Sequence, residues 1–228
     1  MPAGSRTLTW AAVTGPEDAA AALVARAAAL AIELDADAAA VLLRYLDAVL
    51  ALNEQINLTA IRDREQALVL HVLDSLAFAR TGIAPRHVLD LGSGNGFPGV
   101  AVAALHPRAS VVLLDRTGKK VRAMGACLLT ARVPGVETLH LDAAQAPSLR
   151  KDLRRAFDLV TARAVGAPPA VAELATPLLR PGGRLVLWLD ADADAPPQFG
   201  SCRREQVLDY ELPAPAARHR RLAIYVAR

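Results

Sequence analysis

A glycine-rich segment with the sequence VLDLGSGNGFPGV, residues 88–100, offers a site for a small ligand. It places four glycines within eight positions, directly after an apolar run that contains Asp90. Glycine adopts backbone conformations closed to other residues and lets a ligand approach the main chain closely. A strand followed by a glycine turn and a helix binds nucleotide-like ligands at the carboxyl end of a parallel sheet. The segment therefore predicts a nucleotide-like cofactor, with a tight turn that binds no ligand as the alternative.

The spacing and charge of this segment distinguish between two cofactors. Gly92, Gly94 and Gly96 follow a G-x-G-x-G pattern. Phe97 stands where the dinucleotide fingerprint requires its third glycine. A carboxylate at Asp90 would repel a pyrophosphate and would favour an ammonium group. S-adenosyl-L-methionine carries an ammonium and a sulfonium group and no phosphate. We therefore expect these five residues to bind S-adenosyl-L-methionine, and an NAD-dependent oxidoreductase is disfavoured.

Polar residues also stand near the ends of the following predicted strands. Asp115 ends the strand SVVLLD, 23 residues after Gly92, where an acidic side chain can accept hydrogen bonds from ribose hydroxyls. The segment LHLDAAQ, residues 139–145, is expected to meet the adenine edge. Arg163 ends the strand FDLVTAR and is expected to face the same crevice. The alternatives are a helix cap for Asp115 and a buried Arg163 that pairs with an acid.

His71, Asp74 and Ser75 combine the residue types of a nucleophilic triad. They lie about one turn apart on a single face of a predicted helix. A nucleophile, a base and an acid that act as a relay converge from separate elements instead. We therefore interpret them as a polar helix face that packs on the cofactor domain or lies near the substrate.

The elements that must position these residues fall into two parts. Helical patterns predict an N-terminal helical subdomain, assigned to residues 1–82. Apolar runs of strand length then alternate with helical ones through residues 83–228, which predicts a Rossmann-like α/β domain with a mostly parallel sheet. The predicted helices are 16–33, 36–52, 63–80, 97–106, 118–131 and 168–179; the predicted strands are 87–91, 110–115, 136–142, 157–163 and 181–189, with an antiparallel pair, 204–212 and 220–228, at the sheet edge.

The amino-acid composition limits the possible partners, metals and cellular location of the protein. The 228 residues are 53% hydrophobic, which suffices for one substantial core. The 26 lysines and arginines include only three lysines, and arginine binds phosphate bidentately, so the net charge of +3 permits a nucleic-acid partner. Cys127 and Cys202 stand in no metal-ligand spacing, so no metal is expected. We expect no secretory signal and no membrane partner, and hence a cytoplasmic protein.

Five segments occur in order along the chain: NLTAIRD (57–63), HVLDSLA (71–77), VLDLGSGNGFPG (88–99), LLDRTGKKVRAM (113–124) and FDLVTARAV (157–165). Together they resemble the bacterial small-subunit rRNA guanine-N7 methyltransferases, the glucose-inhibited division protein B family, over residues 45–188. The resemblance implies a class I methyltransferase fold and methyl transfer from S-adenosyl-L-methionine to N7 of a guanine in 16S rRNA. It also implies the rRNA or the small ribosomal subunit as partner, and we expect a monomer.

The resemblance further implies cofactor contacts at Gly92 and Phe97, at the pair Ala144–Gln145 and at Arg163. Two positions depart from the family pattern. Gln145 replaces the usual Glu and removes a charge. The segment Trp188–Asp190 offers apolar and acidic residues where the family usually carries a Lys. Two alternatives therefore stay open: methyl transfer to another substrate, and a non-catalytic relative that binds the cofactor.

Guanine N7 bears a lone pair and no proton, so methyl transfer to this atom needs no general base. No catalytic residue is assigned for that reason; catalysis would depend on proximity and alignment, with Arg163 as the candidate for a supporting role. Contact with RNA would need basic residues, each of which is alternatively part of a solvated face. The candidates are His71, Lys119, Lys120, the run Arg150, Lys151, Arg154 and Arg155, and Arg218, Arg220 and Arg221.

Overall fold

The computed structural model describes residues 15–228, and the first fourteen residues of the predicted helical subdomain lie outside them. Helix α1 spans Pro16–Ala28 and α2 spans Ala36–Asn53. The first helix ends earlier than predicted because Ala31 adopts a left-handed conformation, with φ of 57°, and the chain turns back there.

The third helical run, α3, changes its hydrogen-bond pattern along its length. It consists of an α-helical turn at Arg64–Ala67, a π-helical segment at Leu68–Leu73, a second α turn at Asp74–Leu76 and a 3₁₀ turn at Ala77–Thr81. π-Helical segments are rare and concentrate at functional sites. This one contains His71 and directly precedes Asp74, so it sets the direction in which both side chains leave the helix.

The second part of the chain forms an eight-stranded sheet with the order β3-β2-β1-β4-β5-β8-β7-β6. The first five strands in this order are parallel, and β8, β7 and β6 continue the sheet in antiparallel pairs. The predicted α/β fold with a mostly parallel sheet is therefore confirmed. The strands are β1 His87–Leu91, β2 Ser110–Asp115, β3 Val136–His140, β4 Phe157–Arg163, β5 Leu179–Asp190, β6 Gln198–Phe199, β7 Cys202–Leu212 and β8 Arg218–Ala227.

Helices of the second part cover both faces of the sheet. The last one ends four residues earlier than predicted, because residue 179 already belongs to β5. The helices are α4 Gly99–Leu105, α5 Gly118–Ala131, α6 Ala146–Leu149, which a 3₁₀ turn at Lys151–Leu153 follows, and α7 Pro168–Ala175.

The hydrophobic core has two parts. The larger part joins α1, α2 and α3 to α4, α5 and the apolar side chains on one face of the sheet. The smaller part lies on the other face, under α7. The N-terminal helices thus share a core with the sheet, which fixes α3 beside the carboxyl ends of its strands. The domain boundary at residue 82 stays a prediction. Within residues 15–228, no helix is long and apolar enough to cross a membrane.

Candidate cofactor and substrate crevice

A crevice of about 440 Å³ lies at the carboxyl ends of β1 and β4. Open α/β sheets bind their ligands at this edge. The loop after β1, residues 92–98, forms one wall, and Arg163 from the end of β4 lies beside it, as predicted. Further lining comes from α3, from the end of β5 and from the pair β7–β8, which we call the C-terminal hairpin; these residues include His71, Asp74, Asp190, Arg218 and Arg220.

Glycines in the loop serve two different purposes. Gly92 and Gly94 line the crevice in left-handed conformations, with φ of 68° and 59°. A methyl group on Gly92 would fall 2.8 Å from the Val165 side chain. Gly96 does not line the crevice: its α-carbon faces Tyr45, whose hydroxyl an added methyl group would overlap. Gly96 therefore makes room for a packing contact, and its predicted contact with the cofactor gains no support from this position.

Helix α2 holds the glycine loop through a fully buried tyrosine. The Tyr45 hydroxyl donates a hydrogen bond to the main-chain carbonyl of Asn95 at 3.0 Å. The Asn95 side-chain oxygen in turn accepts a hydrogen bond from the Phe97 amide at 3.2 Å. The edge of the Tyr45 ring meets the Phe97 ring, with 5.4 Å between centroids. Since buried hydrogen bonds resist rearrangement, the loop keeps one shape that the N-terminal helices determine.

His71 completes the attachment from the π-helical segment. Its ring stacks on Phe97, with 6.0 Å between centroids, and lies 3.3 Å from the Asn95 amide nitrogen. The Thr59 hydroxyl lies 3.0 Å from the ring nitrogen Nε2. Burial, and secondarily the charge of Arg163, lower the pKa of His71 to about 3. The imidazole is therefore neutral near pH 7, which makes this RNA candidate a hydrogen-bonding group and not a cation.

Asp74 is the centre of a buried charge network. Its Oδ2 atom accepts a hydrogen bond from Arg163 at 2.8 Å, and its Oδ1 atom accepts from Tyr210 at 2.7 Å and from Arg220 at 3.3 Å. Its main-chain carbonyl accepts a hydrogen bond from the Trp188 ring nitrogen at 2.8 Å. Only 3% of the Asp74 side chain is exposed. Its carboxylate joins α3 to β4 and the C-terminal hairpin, and its main-chain carbonyl adds the link to β5.

Arg163 lines the crevice, as predicted, and it also pairs with an acid, as the alternative interpretation stated. Besides Asp74, its Nη1 atom donates to the Leu70 carbonyl at 3.0 Å and the Ser75 hydroxyl at 3.2 Å. Its Nη2 atom donates to the Phe97 carbonyl at 3.3 Å. The guanidinium thus ties α3 to the glycine loop, and its contact with a cofactor stays a prediction. The polar face of His71, Asp74 and Ser75 packs against this domain, as predicted.

Asp90 lies behind the glycine loop and not in the crevice. Its side chain is fully buried, and its Oδ1 atom accepts a hydrogen bond from the Thr161 hydroxyl at 2.7 Å. Burial raises the pKa of this carboxyl to about 6. A methyl group on Gly99 would fall 2.8 Å from the Asp90 side chain, which shows how closely α4 packs against it. Its predicted contact with an ammonium group is not supported by this placement; Asp90 instead links β1 to β4.

Asp115 stands at the end of β2, beside the glycine loop. Its Oδ2 atom accepts a hydrogen bond from the Gly94 amide at 3.0 Å, and its Oδ1 atom accepts from the Thr117 amide at 2.8 Å. The second bond orders the chain just before α5, but the N-cap residue of that helix is Thr117 and not Asp115. A carboxylate has about four acceptor positions, so both oxygens keep acceptor capacity. Asp115 is buried and does not line the crevice, so its predicted contact with the sugar stays a prediction. Ala144 and Gln145 are exposed beyond the end of β3, on the same edge of the sheet.

The predicted RNA residues separate into two regions. Lys120 lines the crevice together with Arg218, and Lys119 is exposed next to it. We call Lys120 and Arg218 the basic rim. The basic run of residues 150–155 leads instead into the start of β4, at the amino edge of the sheet. In this run Arg150 pairs with Asp152 at 2.7 Å, and Lys151, Arg154 and Arg155 are exposed. The structure therefore does not bring the run together with the crevice.

Several residues that line the crevice or hold its walls from behind could not be singled out from the sequence. Tyr45 and Tyr210 belong to no motif, and Asn95 lies in the glycine segment without a role assigned to it there. Trp188 appears in the sequence as an apolar residue of a strand. The hydrogen-bond partners of Tyr45, Trp188 and Tyr210 lie 50, 114 and 136 residues away along the chain. Among residues 15–228 no group of three or more His, Cys, Asp or Glu side chains could hold a metal ion.

A family model described as rRNA small subunit methyltransferase G (GidB) matches residues 38–194. The chain belongs to this family. A methyltransferase G of Chloroflexus aggregans is 39% identical over 146 residues, which cover 63% of this chain and 60% of that protein. One of Streptococcus agalactiae is 34% identical over 153 residues, which cover 66% of this chain and 64% of that protein. The matched part of the chain thus spans about three fifths of the length of these relatives.

Solved structures of other proteins have a fold similar to that of this chain. An S-adenosylmethionine-dependent methyltransferase from Aquifex aeolicus superposes with a TM-score of 0.53 at 15% identity, covering 72% of this chain and 93% of that one. A point mutant of MtNAS in complex with S-adenosylmethionine gives 0.54 at 12% identity, covering 91% of this chain and 89% of that one. At these identities the likeness establishes the fold alone.

The family match ends at residue 194, before the C-terminal hairpin begins. Yet the hairpin supplies Tyr210 and Arg220 to the Asp74 network and Arg218 to the crevice wall. What the hairpin adds to this site is therefore taken from the structure and not from the family match.

Proposed function

We propose that this protein transfers a methyl group from S-adenosyl-L-methionine to N7 of a guanine in 16S rRNA. Membership of the methyltransferase G family supports the reaction. The observation that carries the proposal is the crevice itself, where a glycine loop and a rigid polar network meet two basic side chains at the carboxyl edge of the sheet. The substrate would be free 16S rRNA or the small ribosomal subunit, and the acting form a cytoplasmic monomer.

The residues at this edge suit the cofactor. Gly92 and Gly94 leave the loop backbone accessible from the crevice, and no side chain of either residue intrudes. Phe97 lines the crevice as an apolar surface, and Asp115 retains acceptor capacity beside the loop. These residues would hold the amino-acid and sugar parts, with Ala144 and Gln145 at the adenine. Gln145 keeps an acceptor oxygen without the negative charge of a Glu, so we expect binding by hydrogen bonds alone at this position.

The bound cofactor supplies an electrophilic methyl group on a positively charged sulfur. The chain then has to align guanine N7 with that group, since N7 already bears the attacking lone pair and no proton has to move. Alignment of this kind contributes roughly 7–11 kcal/mol to rate acceleration. Neutral His71 and the immobilised Arg163 fit this task, because each is fixed by several hydrogen bonds. Neither is required to act as an acid or a base.

The experiment is methyl transfer to defined acceptors. Purified protein and S-adenosyl-L-methionine are incubated separately with naked 16S rRNA, intact small subunits, 23S rRNA and a cell extract stripped of nucleic acid. Mass spectrometry of the digested nucleosides should find 7-methylguanosine in one of the first two acceptors only. Methyl groups found only in the extract would favour another substrate. Cofactor binding by calorimetry without transfer to any acceptor would favour a non-catalytic relative.

A further inference from the structure

Asp190 and Arg220 form a pair of opposite charges in the wall of the crevice. Asp190 ends β5, and Arg220 lies directly opposite on the antiparallel strand β8. The Arg220 Nη1 atom donates a hydrogen bond to Asp190 Oδ1. Both residues line the crevice that the glycine loop closes on its other side. The pair therefore faces the space in which a substrate would meet the cofactor.

The two members of the pair differ greatly in exposure. The Arg220 side chain is 11% exposed, whereas that of Asp190 is 71% exposed. Arg220 is held from behind, because its Nε atom donates to the buried Asp74 at 3.3 Å. Within residues 15–228, Arg220 Nη2 and Asp190 Oδ2 take part in no side-chain hydrogen bond. A rigid donor and an adjacent acceptor thus remain for a ligand.

This combination matches one edge of guanine. The Watson–Crick edge of guanine presents the O6 acceptor next to the N1–H and N2–H₂ donors, whereas adenine presents a donor next to an acceptor nitrogen. Enzymes that act on an unstacked base read it through this edge. Arginine most often binds guanine through O6 and N7 together. That geometry is excluded here, because N7 has to stay free for the methyl group.

The geometry points to Asp190 and Arg220 as the residues that select guanine, Asp190 accepting from N1–H and N2–H₂ and Arg220 donating to O6. This inference rests on the proposed function. It gives a role to Asp190, which lies near the end of the family match, and to Arg220, which lies outside it. Both side chains extend from paired strands, and Arg220 is also held by Asp74, so the position of this donor is fixed before the base arrives.

The test compares two acceptors that differ by one amino group. A 16S rRNA fragment is synthesised with either guanosine or inosine at the methylated position; inosine keeps O6, N1–H and N7 but lacks the N2 amino group. For the wild type we expect kcat/KM to be about tenfold to a hundredfold higher with guanosine. In Asp190→Ala the ratio should fall towards one, with cofactor affinity unchanged. Arg220→Lys should lower kcat/KM for both acceptors alike, since both keep O6.

Asp209→Ala is the matched control, because Asp209 forms the neighbouring cross-strand pair with Arg221 on the C-terminal hairpin and does not line the crevice. It should keep the wild-type ratio. An Asp190→Ala protein that binds the cofactor normally and retains the full guanosine preference overturns the inference alone. A wild-type protein that methylates no guanosine in the fragment overturns the proposed function and this inference with it.

Discussion

The two edges of the sheet carry their charges in different ways. At the carboxyl edge, Asp74 is buried and is shared by Arg163, Tyr210 and Arg220. At the amino edge, Arg150 and Asp152 form an exposed one-to-one pair. A second cavity of about 410 Å³ at that edge has the exposed pair Arg184–Glu205 in its lining, together with Asp158, which pairs with the exposed Arg180. Buried shared charges fix geometry, whereas exposed pairs contribute little to stability. We therefore assign the chemistry to the carboxyl edge.

Removal of one carboxylate at each edge is expected to give the largest difference in the free energy of unfolding. Asp74→Ala leaves Arg163 buried without its counter-charge and leaves Arg220 with only the exposed Asp190 as partner, which should lower the free energy of unfolding by about 3–5 kcal/mol. Asp152→Ala removes the exposed partner of Arg150 and should leave the urea midpoint unchanged. Urea denaturation at pH 7.5 measures both. Equal midpoints for the two variants would mean that the Asp74 network does not hold the crevice together.

A second pair of variants compares glycines in left-handed conformations at the two edges. Both Gly96→Ala and Gly182→Ala impose a backbone strain of about 1–2 kcal/mol. Gly96→Ala also overlaps the Tyr45 hydroxyl, while nothing lies within 4 Å of the corresponding point at Gly182. The overlap should add roughly 1–3 kcal/mol and weaken S-adenosyl-L-methionine binding in calorimetry. Identical melting temperatures and cofactor affinities would show that the Tyr45 contact does not shape the loop.

The features that these variants test differ in how far the sequence alone predicts them. The apolar runs of β1, β2 and β4 give the strand bounds, because a buried parallel strand needs a continuous apolar segment. The glycine loop and Asp115 can also be predicted, because each directly follows or ends one of these apolar runs. The Asp74 network is not local: Arg220 lies 146 residues away from Asp74, and only the sheet order brings β8 beside β5. The π-helical segment at His71 has no pattern in the sequence at all.

His71 provides a test that depends on pH. Its pKa is lowered to about 3 in the folded protein, whereas an unfolded histidine titrates near 6.5. The unfolded state therefore binds an extra proton between these values, and stability is lost as the pH falls from 6.5 towards 3. Between pH 6 and pH 4 the free energy of unfolding of the wild type should fall more steeply than that of His71→Gln, by about 1.4 kcal/mol per pH unit. Parallel pH profiles would place His71 in contact with water.

The smallest expected effect concerns RNA affinity at the two edges. A double variant of the basic rim, Lys120→Ala with Arg218→Ala, should reduce the slope of log affinity against log salt by roughly 1.5, because two phosphate contacts are lost. The quadruple alanine variant of the run 150–155 should change this slope by less, since the run lies at the amino edge. Filter binding of a 16S rRNA fragment at several salt concentrations measures both. A larger change in the quadruple variant would move the RNA interface to the amino edge.

The most direct measurement is a crystal structure of the protein with S-adenosylhomocysteine, the demethylated form of the cofactor. We predict that it lies in the crevice against Gly92, Gly94 and Phe97, with its sugar at Asp115 and its sulfur facing the side on which Asp190 and Arg220 meet. A ligand bound instead in the cavity at the amino edge, between Arg180 and Glu205, or a crevice that stays empty at saturating concentration, would contradict the account.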